Sequence, residues 1–489
     1  MNVATHLLRG KDCSKKALLL SEGEFTYGEL SDAVENGARS FVSAGLRKGD
    51  RVLLLAENNY FWVLTYLSAL RAGLVCVPLP TLLTEADLQH IISITEPARV
   101  FVQLRFAGKY AHQLASTQVI TDGDMPFSRA THGNVFVPDT TPDDLAALMF
   151  TSGSTGKPRG VMVSHRNIVA NTNSIIAALS LSADDRIMAV LPFHYCFGTS
   201  LLHTHLAVGG SIVVDRRFMF PEVVLQRMRE TECTGFAGVP SHYQILLRKS
   251  SIRKLDFRRL RYVQQAGGHL APIFVRELRS ALPGKQIFIM YGQTEATARL
   301  TTLPAEMLDS KPGSIGLPIP GVKLQLLDAA GNAVPPGETG EIVAEGANVA
   351  QGYWLEPEET AATFHDGRLH TGDFATQDAD GYFYIVDRGK DFLKCGGRRV
   401  SSQQLEDVLL EFEGVLEAAV IGMPDDILGE AVKAFVVPRM DKTTDLEARL
   451  LAFCKDHMAL PFRPKQVVVL PSLPKNSSGK VTKSVLRDH

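Results

Sequence analysis

The sequence predicts an α/β protein: a large N-terminal body of several subdomains, with parallel-rich sheets and helices, followed by a small, mobile α+β domain. Three observations predict it. The 489 residues exceed what one hydrophobic core usually serves. Short β-branched runs alternate with helical patterns through most of the chain, the mark of strands layered with helices around largely parallel sheets. Near Tyr382 that alternation gives way to a charged, glycine-rich stretch, beyond which roughly 100 residues remain, enough for a second domain.

The elements follow in order. RVLLLAEN (51–58) reads as a strand, YFWVLTYLSALRAG (60–73) as a helix and LVCVPL (74–79) as a strand, and strand-like runs recur at RIMAVLP (186–192), SIVVD (211–215) and QIFIMYG (286–292). The apolar stretch 60–83 is broken by Arg71, Pro78 and Pro80, which suits a buried helix and strand and not a membrane span. Past GYFYIVDRGKDFLKCGG (381–397) come a helix, SSQQLEDVLLEF (401–412), and two strands, EAAVIGMP (417–424) and AVKAFVVP (431–438). The domains are therefore drawn as 1–387 and 388–489, with a hinge in 387–390. The last segment, SLPKNSSGKVTKSVLRDH (472–489), has a polar Gly/Ser turn before a basic tail and is expected to be a mobile surface loop.

Composition narrows the function. With 51 basic against 53 acidic side chains and no block of either sign, binding to nucleic acid through phosphate neutralisation is disfavoured. Cys13, Cys76, Cys196, Cys233, Cys395 and Cys454 show no CxxC spacing, so neither a zinc site nor a disulfide framework is indicated. The N-terminus lacks a secretory pattern, and a cytoplasmic location is expected.

The most informative stretch is TSGSTGKPRGVMVSH (151–165). Thr151, Ser152, Gly153, Ser154, Thr155 and Gly156 let the backbone approach an anion and offer N–H and O–H donors, while Lys157 and Arg159 supply positive charge. It reads as a phosphate-holding loop. It is not a Walker A loop, because Thr151 stands where that pattern needs Gly and Pro158 where it needs Ser or Thr.

On this loop the chain resembles the adenylate-forming superfamily of acyl- and aryl-CoA synthetases, luciferases and peptide-synthetase adenylation domains. The likeness extends in order through LPFHYCFG (191–198), AGGHLAP (266–272), YGQTEA (291–296), GEIVAEGANVAQGYW (340–354), LHTGD (369–373), YIVDRGKDFLKCGGRRVSSQQLE (384–406) and PKNSSGK (474–480). The resemblance implies that ATP and Mg²⁺ are used to make an acyl-adenylate. It assigns adenine stacking to Tyr291 beside Gly292 and Gln293, the facing edge to Gly267, Gly268 and His269, and the ribose diol to Asp373 and Arg388. Thr294 would donate to the α-phosphate, and Glu295, with Ser154, would hold Mg²⁺. Lys480 would stabilise the charge that builds at the α-phosphorus and the leaving pyrophosphate. Lys390 matches the family's pivot, and rotation there would carry Lys480 away and bring Lys394, Cys395, Gly396 and Gly397 to a thiol channel. Cys395 itself is not read as a nucleophile, since the acceptor supplies the thiol and no paired histidine is evident. Asn476 and Ser477 vary the family's Thr-x-Ser form, and Ser402 stands where Pro is frequent.

The same resemblance places His194 as the gate beside the substrate carboxylate and Phe197, Gly198, Val239, Gly267 and Gly292 around the acyl group. The segment 191–198 has no Asp to pair an α-ammonium, so a fatty, aryl or other small organic acid is favoured over an amino acid. Two thiol acceptors stay open: CoA, giving an acyl-CoA synthetase, and the phosphopantetheine arm of a carrier protein. A non-catalytic nucleotide binder on the same fold has no need of Lys480 together with Lys157, Glu295, Asp373 and Arg388.

Overall fold

The computed structural model describes residues 1–124, 135–152, 157–388, 392–395, 398–425, 428–439, 445–475 and 481–487. Two sheets with helices between and around them make the larger part. In the six-stranded sheet the order is Val119–Thr121, Arg99–Val102, Arg51–Leu55, Val75–Pro78, Leu145–Ser152 and Pro158–Ser164. All neighbours are parallel except the last pair, a hairpin. The nine-stranded sheet is parallel through its centre, where Arg186–Ala189, Gly235–Gly238, Tyr262–Gln265 and Gln286–Tyr291 lie side by side. Arg186–Ala189, Gly235–Gly238 and Tyr262–Gln265 are buried almost throughout, so Ile187–Ala189 reads as an apolar run and not as an alternation.

Helix Tyr60–Arg71 shows what holds the sheets together. Every residue from 61 to 70 is buried, so it has no polar face and no amphipathic signature. Asn59 caps it by accepting the Trp62 N–H at 2.8 Å. Trp62, Tyr66 and Leu70 join Val52 and Leu54 of one sheet and Ile187 and Ile212 of the other in a single core. The stretch 60–83 is thus a buried helix and strand, as its proline pattern implied, and no described helix is long and apolar enough to cross a membrane.

An antiparallel sheet follows, with Val322–Leu327, Gly340–Gly346, Arg368–Gln377 and Phe364–His365 in order and Phe383–Arg388 pairing on Arg368–Gln377. The next strand, Phe392–Cys395, belongs to a different sheet, with Arg398–Ser401, Gly429–Pro438, Val415–Asp425 and Gln466–Val469. The chain changes sheets between Arg388 and Phe392; Lys390 lies outside the described residues. Helix Ser402–Glu411, capped by Ser401, buries Leu405, Leu409 and Leu410 and packs on helix Pro272–Ala281.

The C-terminal segment corrects an expectation. Its end is not a free loop: Lys483–Leu486 forms a helical turn, with Leu486 buried against Ala419, Ile421, Phe435 and Val437. Lys483 is paired with Glu406 at 2.7 Å. A single leucine among basic and polar neighbours is too weak a pattern to announce that anchor.

Burial also sets an acid sensitivity. It pulls the imidazoles of His165, His194, His205 and His242 down to about 4 and that of His203 to about 3. Several are acceptors: His165 Nδ1 takes the Val3 N–H at 3.1 Å, a bond a protonated ring cannot make. An unfolded histidine titrates near 6.5, so below that pH the unfolded chain binds more protons than the folded one. Stability therefore falls as pH drops from 6.5 toward 4, by about 1.4 kcal/mol per pH unit for each fully titrating ring. The thermal midpoint should decline steeply across that window; a midpoint that stays level from pH 7 to 4.5 would contradict the burial of these rings.

Candidate active site

Four neighbouring parallel strands deliver the site. Arg186–Ala189 leads into the 191–196 turn, Gly235–Gly238 into Val239, Tyr262–Gln265 into Gly267 and Gly268, and Gln286–Tyr291 into Gly292. All four turns lie at the carboxyl edge of the sheet, where α/β folds place their ligands. A cleft of 1690 Å³ opens there, lined among others by His194, Gly267, Gly268, His269, Tyr291, Gly292, Gln293, Thr294, Glu295 and Asp373.

Close backbone approach shapes its rim. A Cβ on Gly292 would overlap the Ala298 carbonyl oxygen, and one on Gly267, at φ +83°, would stand 2.7 Å from the Tyr195 hydroxyl. The turn Thr294–Ala296 ends on Thr297, a non-glycine residue at φ +68°, held by its hydroxyl donating to the Asn348 carbonyl at 2.7 Å. Ala350 N–H donates to the Glu295 carbonyl at 2.8 Å, tying the turn to the 340–354 segment.

The polar groups converge as the motif order implied. The Tyr291 phenol donates to Asp373 Oδ2 at 2.7 Å, and Asp373 is buried in strand Arg368–Gln377. In that sheet Asp373 stands in register with Arg388. Tyr353 donates to Glu295 Oε1 at 2.9 Å; burial and the nearby carboxylate hold its phenol well above the usual range, so it stays a donor. The Thr294 hydroxyl lies 3.4 Å from Cys196 Sγ. Gln293 Nε2 is buried without an acceptor among the described residues, a donor left over at the edge of the cleft. His194 is partly exposed and, held near 4, is neutral at ordinary pH.

The phosphate-loop candidate begins at the end of strand Leu145–Ser152 and ends where strand Pro158–Ser164 starts, and these two strands pair antiparallel with Thr151 opposite Arg159. Gly153, Ser154, Thr155 and Gly156 lie outside the described residues, as does the Ser152 side chain; Lys157 is exposed. Arg159 differs from its expected role. It is buried, paired with Glu356 at 3.1 Å and Glu359 at 2.8 Å, and sits over the Tyr353 ring, so two carboxylates already neutralise it. Arg159, Tyr353 and Glu295 form a chain of contacts whose tyrosine was visible only as part of the 340–354 match.

Other candidates fall elsewhere. His269 lines the cleft but binds the Asp407 carboxylate at 2.8 Å, bridging to helix Ser402–Glu411. Phe197 and Val239 are buried and stand behind the cleft wall, and Gly198 lets its helix start against the Pro192 carbonyl. The wall itself presents Tyr195, Cys196, Met149 and Met290, to which the sequence assigned no role although Tyr195 and Cys196 lie inside the 191–198 motif and Met290 adjoins Tyr291. Lys394 is exposed and Cys395 buried, its thiol pushed up by that burial, and neither lines the cleft. Gly396, Gly397, Lys390 and Lys480 and the Arg388 side chain lie outside the described residues. Lys475, Val481, Thr482 and Lys483, on either side of 476–480, do line the cleft. Among the described residues no cluster of three or more His, Cys, Asp or Glu could hold a metal alone. A magnesium ion carried on substrate phosphates needs only one or two protein carboxylates, and Glu295, with one oxygen taken by Tyr353, fits that demand.

Comparison with known proteins agrees with this arrangement. The family model of AMP-binding enzymes matches residues 9–354, and that of the AMP-binding enzyme C-terminal domain matches 404–480. A feruloyl-CoA synthase of Amycolatopsis sp is 35% identical over 94% of this chain and 93% of its own length. A long-chain-fatty-acid–CoA ligase of Salmonella typhimurium is 31% identical over 93% of this chain and 89% of its own. Among solved structures, ATP-bound MatB from Rhodopseudomonas palustris superposes with a TM-score of 0.91 at 31% identity, covering 100% of this chain and 98% of that one. With the motifs in register and the site gathered at one sheet edge, the chain belongs to the family of AMP-binding enzymes, the adenylate-forming superfamily, and is an AMP-forming acid–thiol ligase.

Proposed function

We propose that the enzyme activates a carboxylic acid lacking an α-ammonium group through an acyl-AMP intermediate and passes the acyl group to the thiol of CoA. The observation that carries this reading is the Tyr291–Asp373 pair, a ring and a carboxylate joined at 2.7 Å on the cleft edge where Glu295 and Thr294 also lie. A ring face for adenine and an ionised acceptor for a ribose diol are what a bound adenylate requires. The relatives named for feruloyl and long-chain fatty acyl groups support an acid of that kind.

In the first half-reaction a carboxylate oxygen of the acid bonds to the α-phosphorus as the bond to pyrophosphate breaks. The 151–157 segment cradles the phosphates, and Thr294 donates toward the α-phosphate. Glu295, oriented by Tyr353, is the side chain that would hold Mg²⁺, whose charge would offset that of the phosphates. His194, neutral at working pH, orients the acid by hydrogen bonding and adds no charge. Lys480 stabilises the transition state. Its flanking lysines support that assignment, because Lys475 is paired with Glu417 and Lys483 with Glu406, both at 2.7 Å. In the second half-reaction, rotation about Lys390 brings the 394–397 segment to the acyl-adenylate; the CoA sulfur bonds to the acyl carbon and AMP departs.

The purified enzyme, given ATP, Mg²⁺ and a panel of acids, is expected to exchange pyrophosphate and to release AMP. Release of ADP and phosphate would refute the mechanism, and thioester on a carrier protein but never on CoA would move the acceptor.

Asp373→Ala should raise the Michaelis constant for ATP by at least about tenfold, the equivalent of one charge-assisted hydrogen bond of roughly 1.5–3 kcal/mol, with the acid constant little changed. An unaltered ATP constant would return Asp373 to a purely structural role beside Tyr291.

The two half-reactions should also separate. Lys480→Ala is expected to slow adenylate formation greatly while sparing thioester formation from supplied acyl-AMP. Lys390→Pro should do the reverse, since proline fixes φ near −65° and the pivot can no longer absorb the rotation. Equal losses in both steps for Lys480→Ala, in a protein that still binds ATP, would overturn the two-pose scheme.

A further inference from the structure

Behind the acyl side of the cleft lies a buried charge without a counter-charge. Arg299 is only 1% exposed, and no described carboxylate pairs with it. Its guanidinium lies 5.2 Å from the centroid of the Phe197 ring, Nη1 meets the Met290 sulfur, and Nε, like that of Arg248, is buried with no acceptor among the described residues. Arg159 has Glu356 and Glu359, Arg248 has Glu277 and Arg261 has Asp185, while the half-buried Arg51 and Arg186 donate to backbone carbonyls. A thioether and a ring face compensate a desolvated cation poorly, and an apolar side chain of similar volume would ordinarily be at least as stable there.

The residue is nonetheless fixed with care. Asn171 accepts the Arg299 N–H at 3.2 Å and donates to its carbonyl at 2.9 Å, and Asn348 donates to the same carbonyl at 3.1 Å. The strained Thr297 and the glycine-tight turn at Gly292 set its approach. Met290, which it touches, and Tyr195 and Cys196, which act on it electrostatically, all line the cleft. Burial draws the guanidinium down to about 10, so it remains a cation at neutral pH.

We infer that Arg299 is a specificity-determining residue: the acid this enzyme activates carries a second carboxylate at its far end, which pairs with the Arg299 guanidinium while the first carboxylate is adenylated. The inference rests on the acid–CoA ligase reading above. Met290 is the side chain in the way, and an unbranched thioether can swing aside to admit a carboxylate oxygen to Nη1. The second carboxylate then supplies the acceptor that the protein lacks, as a charge-assisted and potentially bidentate pair.

Acid-dependent pyrophosphate exchange on matched pairs tests this: butanedioic against butanoic acid, hexanedioic against hexanoic, and benzene-1,4-dicarboxylic against 4-methylbenzoic acid. The intact enzyme should favour the diacid of at least one pair by about tenfold or more in kcat/KM. Arg299→Met, which keeps the volume, should lose that preference through the acid KM, with the ATP KM and thermal midpoint retained, and Arg299→Lys should restore part of it. Exchange with monoacids at rates equal to or above those of every diacid partner overturns the inference and leaves the ligase reading standing. So does an Arg299→Met enzyme with an unchanged diacid preference. If Arg299→Met does not fold, the preference of the intact enzyme and its response to Arg299→Lys decide the matter. No exchange with any acid, in a protein that binds ATP, removes the ligase reading and the inference with it.

Discussion

The structure depends on one constraint: four parallel strands that lie side by side must end on the same edge of their sheet. Parallel strands share a direction, so the turns after Ala189, Gly238, Gln265 and Tyr291 open together, although more than a hundred residues separate the first from the last. Three of the turns carry a quoted motif, and the one after Gly238 carries the candidate Val239. The close fit of the turns requires glycine where Gly292 meets Ala298 and where Gly267 meets Tyr195. Side chains at those points would push the strand ends apart and separate the groups that must act together.

A second set of interactions closes this edge from above. The Tyr291 phenol reaches across to Asp373, so a strand end of the nine-stranded sheet is tied to the antiparallel sheet. Glu295 is likewise tied through Tyr353, over whose ring Arg159 lies. These links hold carboxylates in place before any ligand arrives, the preorganisation that electrostatic catalysis draws on. On the far side, His269 and Asp407 join the cleft to helix Ser402–Glu411, a contact in reach of solvent and therefore one that can break and re-form at modest cost.

The treatment of charge separates what stabilises the fold from what serves the site. Arg159, Lys475 and Lys483 meet glutamates within the protein, and the core histidines are kept neutral by burial. Among the described residues Gln293 Nε2 and the Arg299 guanidinium lack such partners; Gln293 lines the cleft, and Arg299 touches its wall at Met290. An orphaned polar group costs free energy in a folded core, so its position beside a cavity carries information about what enters that cavity.

Much of this was legible in the sequence because it rests on local pattern. Strand and helix periods announced the α/β layers, and the order of the motifs announced the family and singled out Tyr291, Glu295 and Asp373, which line one cleft. Contacts made at long range were decided only by the tertiary structure. Nothing near Arg159 in the chain says that its charge is spent on Glu356 and Glu359, nearly two hundred residues on. Nothing around Leu486 says that it finds a pocket among Ala419, Ile421, Phe435 and Val437, or that Tyr195 and Cys196 line the cleft while Phe197 does not. A residue's type and spacing determine which interactions it can make; which one it does make depends on the partners that folding brings within a few ångströms, and those come from elsewhere in the chain.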